Sequence, residues 1–123
     1  VRGATGFTPM IGSDMATTGS LGLADTGHVR IGPGSLSTNP TDMAAIDTVG
    51  YGTGNAPEGS PAPGPATANS SIERKAFSTS TDVSMTTGGD ADEGNGEDTN
   101  NNAADFIVRS ASQPQNSMSA PEP

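Results

Sequence analysis

Leu21-Gly22-Leu23-Ala24-Asp25-Thr26-Gly27-His28-Val29-Arg30-Ile31 is the stretch on which the fold class turns. Two short runs alternate apolar residues with polar or small ones, and Asp25-Thr26-Gly27 between them carries turn chemistry. Alternation with a period of two is what a strand with one buried face requires, and a Gly-containing turn joins two such strands into an antiparallel hairpin. The reading places Leu21, Leu23, Val29 and Ile31 on the inner face and leaves His28 and Arg30 in water.

Working outward, residues 1–20 are rich in Gly, Thr and Met and show no sustained period, so a loop or a weak strand is expected there, with Phe7, Met10, Ile11 and Met15 as its packing residues. Residues 33–42 are punctuated by Gly and Pro and read as a loop. Ala45-Ile46-Asp47-Thr48-Val49-Gly50-Tyr51-Gly52 is β-branched and aromatic, which favours a strand. Ile46 and Val49 are three apart, so either Ile46 faces the other side or a bulge separates them. Residues 53–70 hold Pro57, Pro61, Pro63 and Pro65 and read as an extended, exposed spacer; a site for a proline-reading module is the alternative. Ser71-Ile72-Glu73-Arg74-Lys75-Ala76-Phe77 and Asp105-Phe106-Ile107-Val108-Arg109 read as two further strands. Residues 78–104 between them are almost wholly polar, and 110–123 read as a frayed tail. With no helical period found, the expected class is all-β, with long polar loops.

Composition limits the core. The chain has 123 residues, 30% of them hydrophobic, and a net charge of −9. Leu, Ile, Val and Phe number 16, and a share below about 20% with high charge leans towards disorder. The alternative to a thin folded module is thus an acidic, largely disordered linker or spacer with no defined site, which the resemblance given below would place outside the cell. Five basic residues against 14 acidic ones speak against nucleic acid, which needs clustered Lys and Arg to neutralise phosphates. No apolar run approaches the roughly 20 residues of a membrane span, so no membrane insertion is expected. There is no Cys, which excludes disulfides and thiolate chemistry.

The remaining chemistry is sparse. Asp90-Ala91-Asp92-Glu93-Gly94-Asn95-Gly96-Glu97-Asp98 alternates carboxylates with Gly, as a hard cation prefers, and names Asp90, Asp92 and Asp98 as candidate Ca²⁺ ligands. The EF-hand pattern is not met, and a solvated acidic loop is the plainer reading. His28 is the sole His, too few for a zinc or iron site, and it reads as an exposed strand residue. No nucleophile-elbow sequence occurs, and the core is too small to wall the cleft that a glycosidase carboxylate pair needs. Gly32-Pro33-Gly34 is a turn rather than a phosphate loop. Asn69-Ser70-Ser71 is a glycosylation sequon. No enzyme is expected.

Four segments in order carry a family resemblance: Ala45-Ile46-Asp47-Thr48-Val49-Gly50-Tyr51-Gly52, then Ser71-Ile72-Glu73-Arg74-Lys75, then Asp98-Thr99-Asn100-Asn101-Asn102-Ala103-Ala104-Asp105-Phe106, then Pro114-Gln115-Asn116-Ser117. They resemble the C-terminal half of bacterial lamin tail domains, and residues 20–118 are covered. Residues 1–19 would be an irregular N-terminal segment and 119–123 a tail. The resemblance implies an immunoglobulin-like β-sandwich, incomplete at its N-terminal end, because the family's opening strands and its Trp-containing turn have no counterpart here. It implies a non-catalytic module of a secreted or cell-surface bacterial protein, acting in adhesion, scaffolding or positioning of a partner. The fragment would then need upstream strands or a neighbouring domain to fold. The Asp-Thr-Asn-Asn loop is expected to fold on itself and set the register of the last strand, with one of the Glu73-Arg74 pair free to meet an acidic loop residue, Asp98 or Asp105.

Overall fold

A computed structural model describes residues 24–34, 36–37, 39, 42–67 and 69–123. The Leu21 and Leu23 half of the expected hairpin lies outside the described residues, as do residues 1–20. The elements are β1 (Gly27–Ile31), β2 (Asp47–Tyr51), β3 (Ser71–Arg74), α1 (Asp82–Thr86), α2 (Asn102–Asp105) and β4 (Phe106–Arg109). They make two small antiparallel sheets, β1–β2 and β3–β4. The described part is β-rich, and two short helices depart from the all-β expectation: α1 inside the polar 78–104 stretch, and α2 at its end, which takes in Asp105 where a strand start was expected.

The register explains which residues face which way. Val29 pairs with Val49 and Gly27 with Tyr51, while Ile72 pairs with Val108 and Arg74 with Phe106. Directly opposed residues share a face. Tyr51, Ala62 and Phe106 form one buried cluster, with Val49 and Ile72 packed against it. The two sheets are therefore joined by a single small core, to which each large buried side chain contributes roughly 1.5–3 kcal/mol. Arg74 reinforces the join: its guanidinium lies 4.7 Å from the Phe106 ring centre and its Nη2 donates to Asp47 at the start of β2 at 3.0 Å.

Three expectations change. Val29 and Ile31 share the face of Val49 and Tyr51 but are 46% and 59% exposed, because the core lies under β2 and stops short of β1. His28 and Arg30, expected in water, are half-buried. Ile46 precedes β2 and is 75% exposed, and the pairing is continuous, so no bulge is needed.

The proline-rich segment is no free spacer. Ala62 makes a parallel bridge with Tyr51, donating to the Gly50 carbonyl and accepting from Gly52 N–H, both at 2.8 Å. The flanking Pro61 and Pro63 bias the chain towards extended geometry, while Ala62 keeps the N–H that a proline lacks. Gly50 has no room for a side chain: an added Cβ would stand 2.6 Å from Pro57 Cα. Proline packing and glycine placement thus let this segment close over β2.

Candidate functional site

The second face of the β3–β4 sheet carries the densest polar chemistry among the described residues. Glu73 and Arg109 share it, since Ser71 pairs with Arg109 and Glu73 with Ile107. α1 covers this face. Its N-terminus is set by a capping box, in which Thr81 accepts from Ser84 N–H and the Ser84 hydroxyl accepts from Thr81 N–H. Met85 on α1 is buried, which anchors so short a helix.

Arg109 is 1% exposed. Its Nε donates to Asp82 Oδ1 at 2.9 Å and its Nη1 to Glu73 Oε2 at 2.7 Å. Nη2 donates to the Met85 carbonyl, Thr86 Oγ1 and Gln113 Oε1. A buried guanidinium is tolerable only when paired and hydrogen-bonded in this way. Asp82 also accepts from the Ser110 N–H and hydroxyl, and the Ser110 hydroxyl bond leads the contacts that hold its carboxyl below the ordinary value. Glu73 behaves oppositely: burial pushes its carboxyl up, and the charge of Arg109 offsets only part of the shift.

Beside this network lies a polar cleft of about 240 Å³, lined by Ser71, Glu73, Asn95, Ser112, Gln113 and Gln115 among others. It offers hydroxyls, amides and one half-buried carboxylate already bonded to Arg109. His28 stands on β1, opposite Gly50, in the other sheet. The arrangement is suited to hydrogen-bonding a polar partner.

A second network ties the 98–105 loop to the rest. Asp105 is fully buried and accepts from Thr99 N–H at 3.0 Å, Thr99 Oγ1 at 2.6 Å and Asn101 N–H at 3.1 Å. Burial alone would raise its carboxyl, but these hydrogen bonds outweigh that and lower it. Asn102, also fully buried, accepts from Gly50 N–H at 2.8 Å and Glu58 N–H at 3.0 Å and donates to the Thr48 carbonyl at 3.1 Å. The loop therefore folds on itself and positions β4, as the sequence led us to expect. It also crosses to β2 and the 58–60 turn, which the sequence did not suggest. At that turn Gly59 has φ 61°, and an added Cβ would stand 3.0 Å from the Asn100 carbonyl oxygen.

The candidate Ca²⁺ ligands are not brought together as a set. Asp90 accepts from the Ser84 hydroxyl at 2.5 Å, on the α1 side. Asp98 lies 3.6 Å from Arg74 Nη1 and accepts from Asn100 N–H. Asp92 is exposed. Among the described residues no group of three His, Asp or Glu side chains is arranged to hold a metal ion. Of the two loop acids offered to the Glu73-Arg74 pair, Asp98 makes an ion pair, with Arg74, but the shorter contact of Arg74 is to Asp47. No helix among the described residues is long and apolar enough to cross a membrane.

Sequence reasoning missed Arg109, Asp82, Gln113 and Asn102. A signal for Arg109 was present. Phe106-Ile107-Val108 is apolar on both faces, which marks a strand covered on both sides, so the Arg that follows must find partners inside. Compared with protein-family models, curated proteins and solved structures, the chain matches none.

Proposed function

We propose that this chain is a non-catalytic module of the lamin-tail type, from a secreted or cell-surface bacterial protein, which positions or attaches a partner rather than transforming a substrate. The observation that carries the reading is the ordered set of four segments, together with where they fall. The first contains β2, the second β3, and the third runs through α2 into β4. The Asn102 and Asp105 networks then brace these segments against one another. Fixed long-range polar contacts of this kind favour a folded module over an acidic spacer.

The proposed architecture is an incomplete immunoglobulin-like sandwich, in which the β1–β2 and β3–β4 sheets are the two layers. Support comes from the shared Tyr51–Phe106 core and from the exposed inner-face residues Val29 and Ile31, which further strands would cover. Strand addition at an open sheet edge, in cis or from a partner, is the corresponding mechanism.

Far-ultraviolet circular dichroism with a thermal melt tests the module reading, run with and without millimolar Ca²⁺. A β spectrum with a cooperative melt is expected. A coil spectrum with no transition would replace the module with the acidic spacer. A calcium-dependent rise in midpoint would bring the 90–98 loop into the function. Strand addition has its own test, a chain extended upstream, which should melt more sharply and at higher temperature; an unchanged melt refutes it.

A further inference from the structure

We propose that Asn95 is a self-modification site: the Asn95-Gly96 pair closes to a succinimide and reopens as aspartate and isoaspartate, setting a new carboxylate against Glu73. The chain holds one Asn-Gly pair. Deamidation of this kind requires the nitrogen of the following residue to reach the Asn side-chain carbonyl, which demands a freely turning backbone. Glycine supplies that freedom, having no Cβ to obstruct the approach.

The local structure meets the requirement. Asn95 and Gly96 are both exposed and lie in neither helix nor strand. The space where a Cβ of Gly96 would stand is open, with nothing within 4 Å. The Asn95 amide is held by a long bond, Nδ2 to Glu73 Oε1 at 3.5 Å. Gly96 N–H donates to the Gly94 carbonyl at 2.9 Å. That bond spans two residues in an exposed loop, so it opens without disturbing either sheet.

The chemistry balances with water as the sole co-reactant. The Gly96 nitrogen forms a bond to Asn95 Cγ and gives up its proton. The Cγ–Nδ2 bond breaks and ammonia departs, leaving the cyclic imide. Water then adds to one of the two imide carbonyls. Opening at one side restores a normal backbone with aspartate at position 95; opening at the other routes the backbone through the side chain as isoaspartate.

The consequence falls on the cleft. Asn95 donates to a carboxylate that burial already disfavours in its charged form, and the charge of Glu122 adds to that cost. Exchanging the amide for a carboxylate removes a donor and adds a like charge. Arg109 is already held by Glu73, Asp82, Met85, Thr86 and Gln113 around its buried guanidinium, so turning to a second carboxylate would break bonds it now makes. Modification should therefore loosen the 90–98 loop from β3.

The test is an incubation of the full chain at mildly alkaline pH, followed by peptide mapping with mass spectrometry and enzymatic isoaspartate detection. Asn95 is expected to convert several-fold faster than Asn69 and Asn116, each of which precedes Ser. Gly96→Ala should slow it several-fold, with the fold intact by circular dichroism. Conversion of Asn95 no faster than of Asn69 or Asn116 would overturn the site. For the cleft, Asn95→Asp should lower the melting midpoint at neutral pH, and less so at a pH where Glu73 is protonated, while Asn95→Gln should fall between Asn95→Asp and the parent. Equal midpoints for parent and Asn95→Asp at neutral pH would refute the coupling to Glu73.

Discussion

At the scale of single residues, the chain depends on a few fully buried polar groups rather than on large apolar ones. Arg109 directs donors from all three guanidinium nitrogens into the chain, on two carboxylates, one carbonyl, one hydroxyl and one amide oxygen. Arg109→Met deletes all of these and leaves Glu73 and Asp82 facing one another's charge. Breaking a buried pair from one side costs about 3–5 kcal/mol. Both carboxylates keep some exposure, 26% and 31%, so the lower end of that range is expected in urea denaturation. Neutralising the orphaned acids in the same chain (Glu73→Gln with Asp82→Asn) should recover part of the loss; no recovery would mean that packing of the Arg stem, not charge, is what was lost. Asn102 gives a cleaner contrast. Asn102→Ala strands the Gly50 and Glu58 N–H groups, at about 1–3 kcal/mol each. Asn102→Asp keeps both acceptors but loses the donor to Thr48 and sets a carboxylate near Glu58, whose Oε2 lies 3.4 Å from Asn102 Nδ2. Burial and Glu58 would raise the new group's folded pKa, so stability that is present when it is protonated should be lost as pH rises through that value. A pH series of melts on the two variants distinguishes lost hydrogen bonds from added charge.

Elements show where local sequence is sufficient and where it is not. Helix α1 exists because Thr81 and Ser84 satisfy its first turn, and Thr81→Ala should cost about 1 kcal/mol. The loss should be read as a lower urea midpoint at unchanged slope. The Ala62 bridge is the second. Ala62→Leu must overpack a position 1% exposed against Tyr51 and Phe106, for about 1–3 kcal/mol, whereas Pro63→Ala, on the exposed neighbour, should fall within about 0.5 kcal/mol. Equal effects would mean that the segment does not close on β2. These two elements were also the least legible in the sequence. The strands were legible, because β-branched and aromatic runs such as Asp47-Thr48-Val49-Gly50-Tyr51 and Phe106-Ile107-Val108 carry their own propensity. Helix α1 was not, since a single capped turn has too few residues for a 3.6-residue period to show. Pro61-Ala62-Pro63 reads as spacer because propensity penalises proline in sheets, yet only Ala62 needs to reach the ladder. The buried polar sites were half legible. The Asp and Asn richness of 98–105 announced a self-bonded loop, but Asn102 reaching Gly50 and Glu58 is a contact between residues 52 and 44 positions apart, which no local pattern encodes.

For the whole molecule, the question is which of two electrostatic effects dominates. The lowered carboxyls of Asp82 and Asp105, and of Asp42 at about 2 against an ordinary 3.8, contribute stability that is present above 3.8 and lost as pH falls through their folded values. Glu73 is raised above 4.5, so its contribution is present below that pH and lost as pH rises through the folded value. The melting midpoint should therefore be highest in the window above 3.8 and below the folded value of Glu73, and fall as the solution is made more acidic than that window. Glu73→Gln should flatten the decline on the alkaline side while sparing the acid limb. A curve that rises steadily as pH falls would contradict the assignment. Salt then separates pairing from repulsion. The 14 acids against five bases leave a large excess of like charge, with a cluster in the 90–98 loop where Asp92 and Asp98 are exposed and Asp90, Glu93 and Glu97 are partly so. Raising ionic strength from about 0.01 to 0.15 M shortens the screening length from roughly 30 to 8 Å, which weakens repulsion between separated exposed carboxylates first. The Arg109 pairs, at 2.7 and 2.9 Å around a buried guanidinium, are shielded much less. Sodium chloride should accordingly raise the midpoint at neutral pH. It should raise it less in a chain with Asp92→Asn and Glu93→Gln, whose repulsion is already reduced. A midpoint that falls with salt would show instead that solvent-facing pairs such as Arg74–Asp98 outweigh the net charge, and that the fold is held by attractions at its surface.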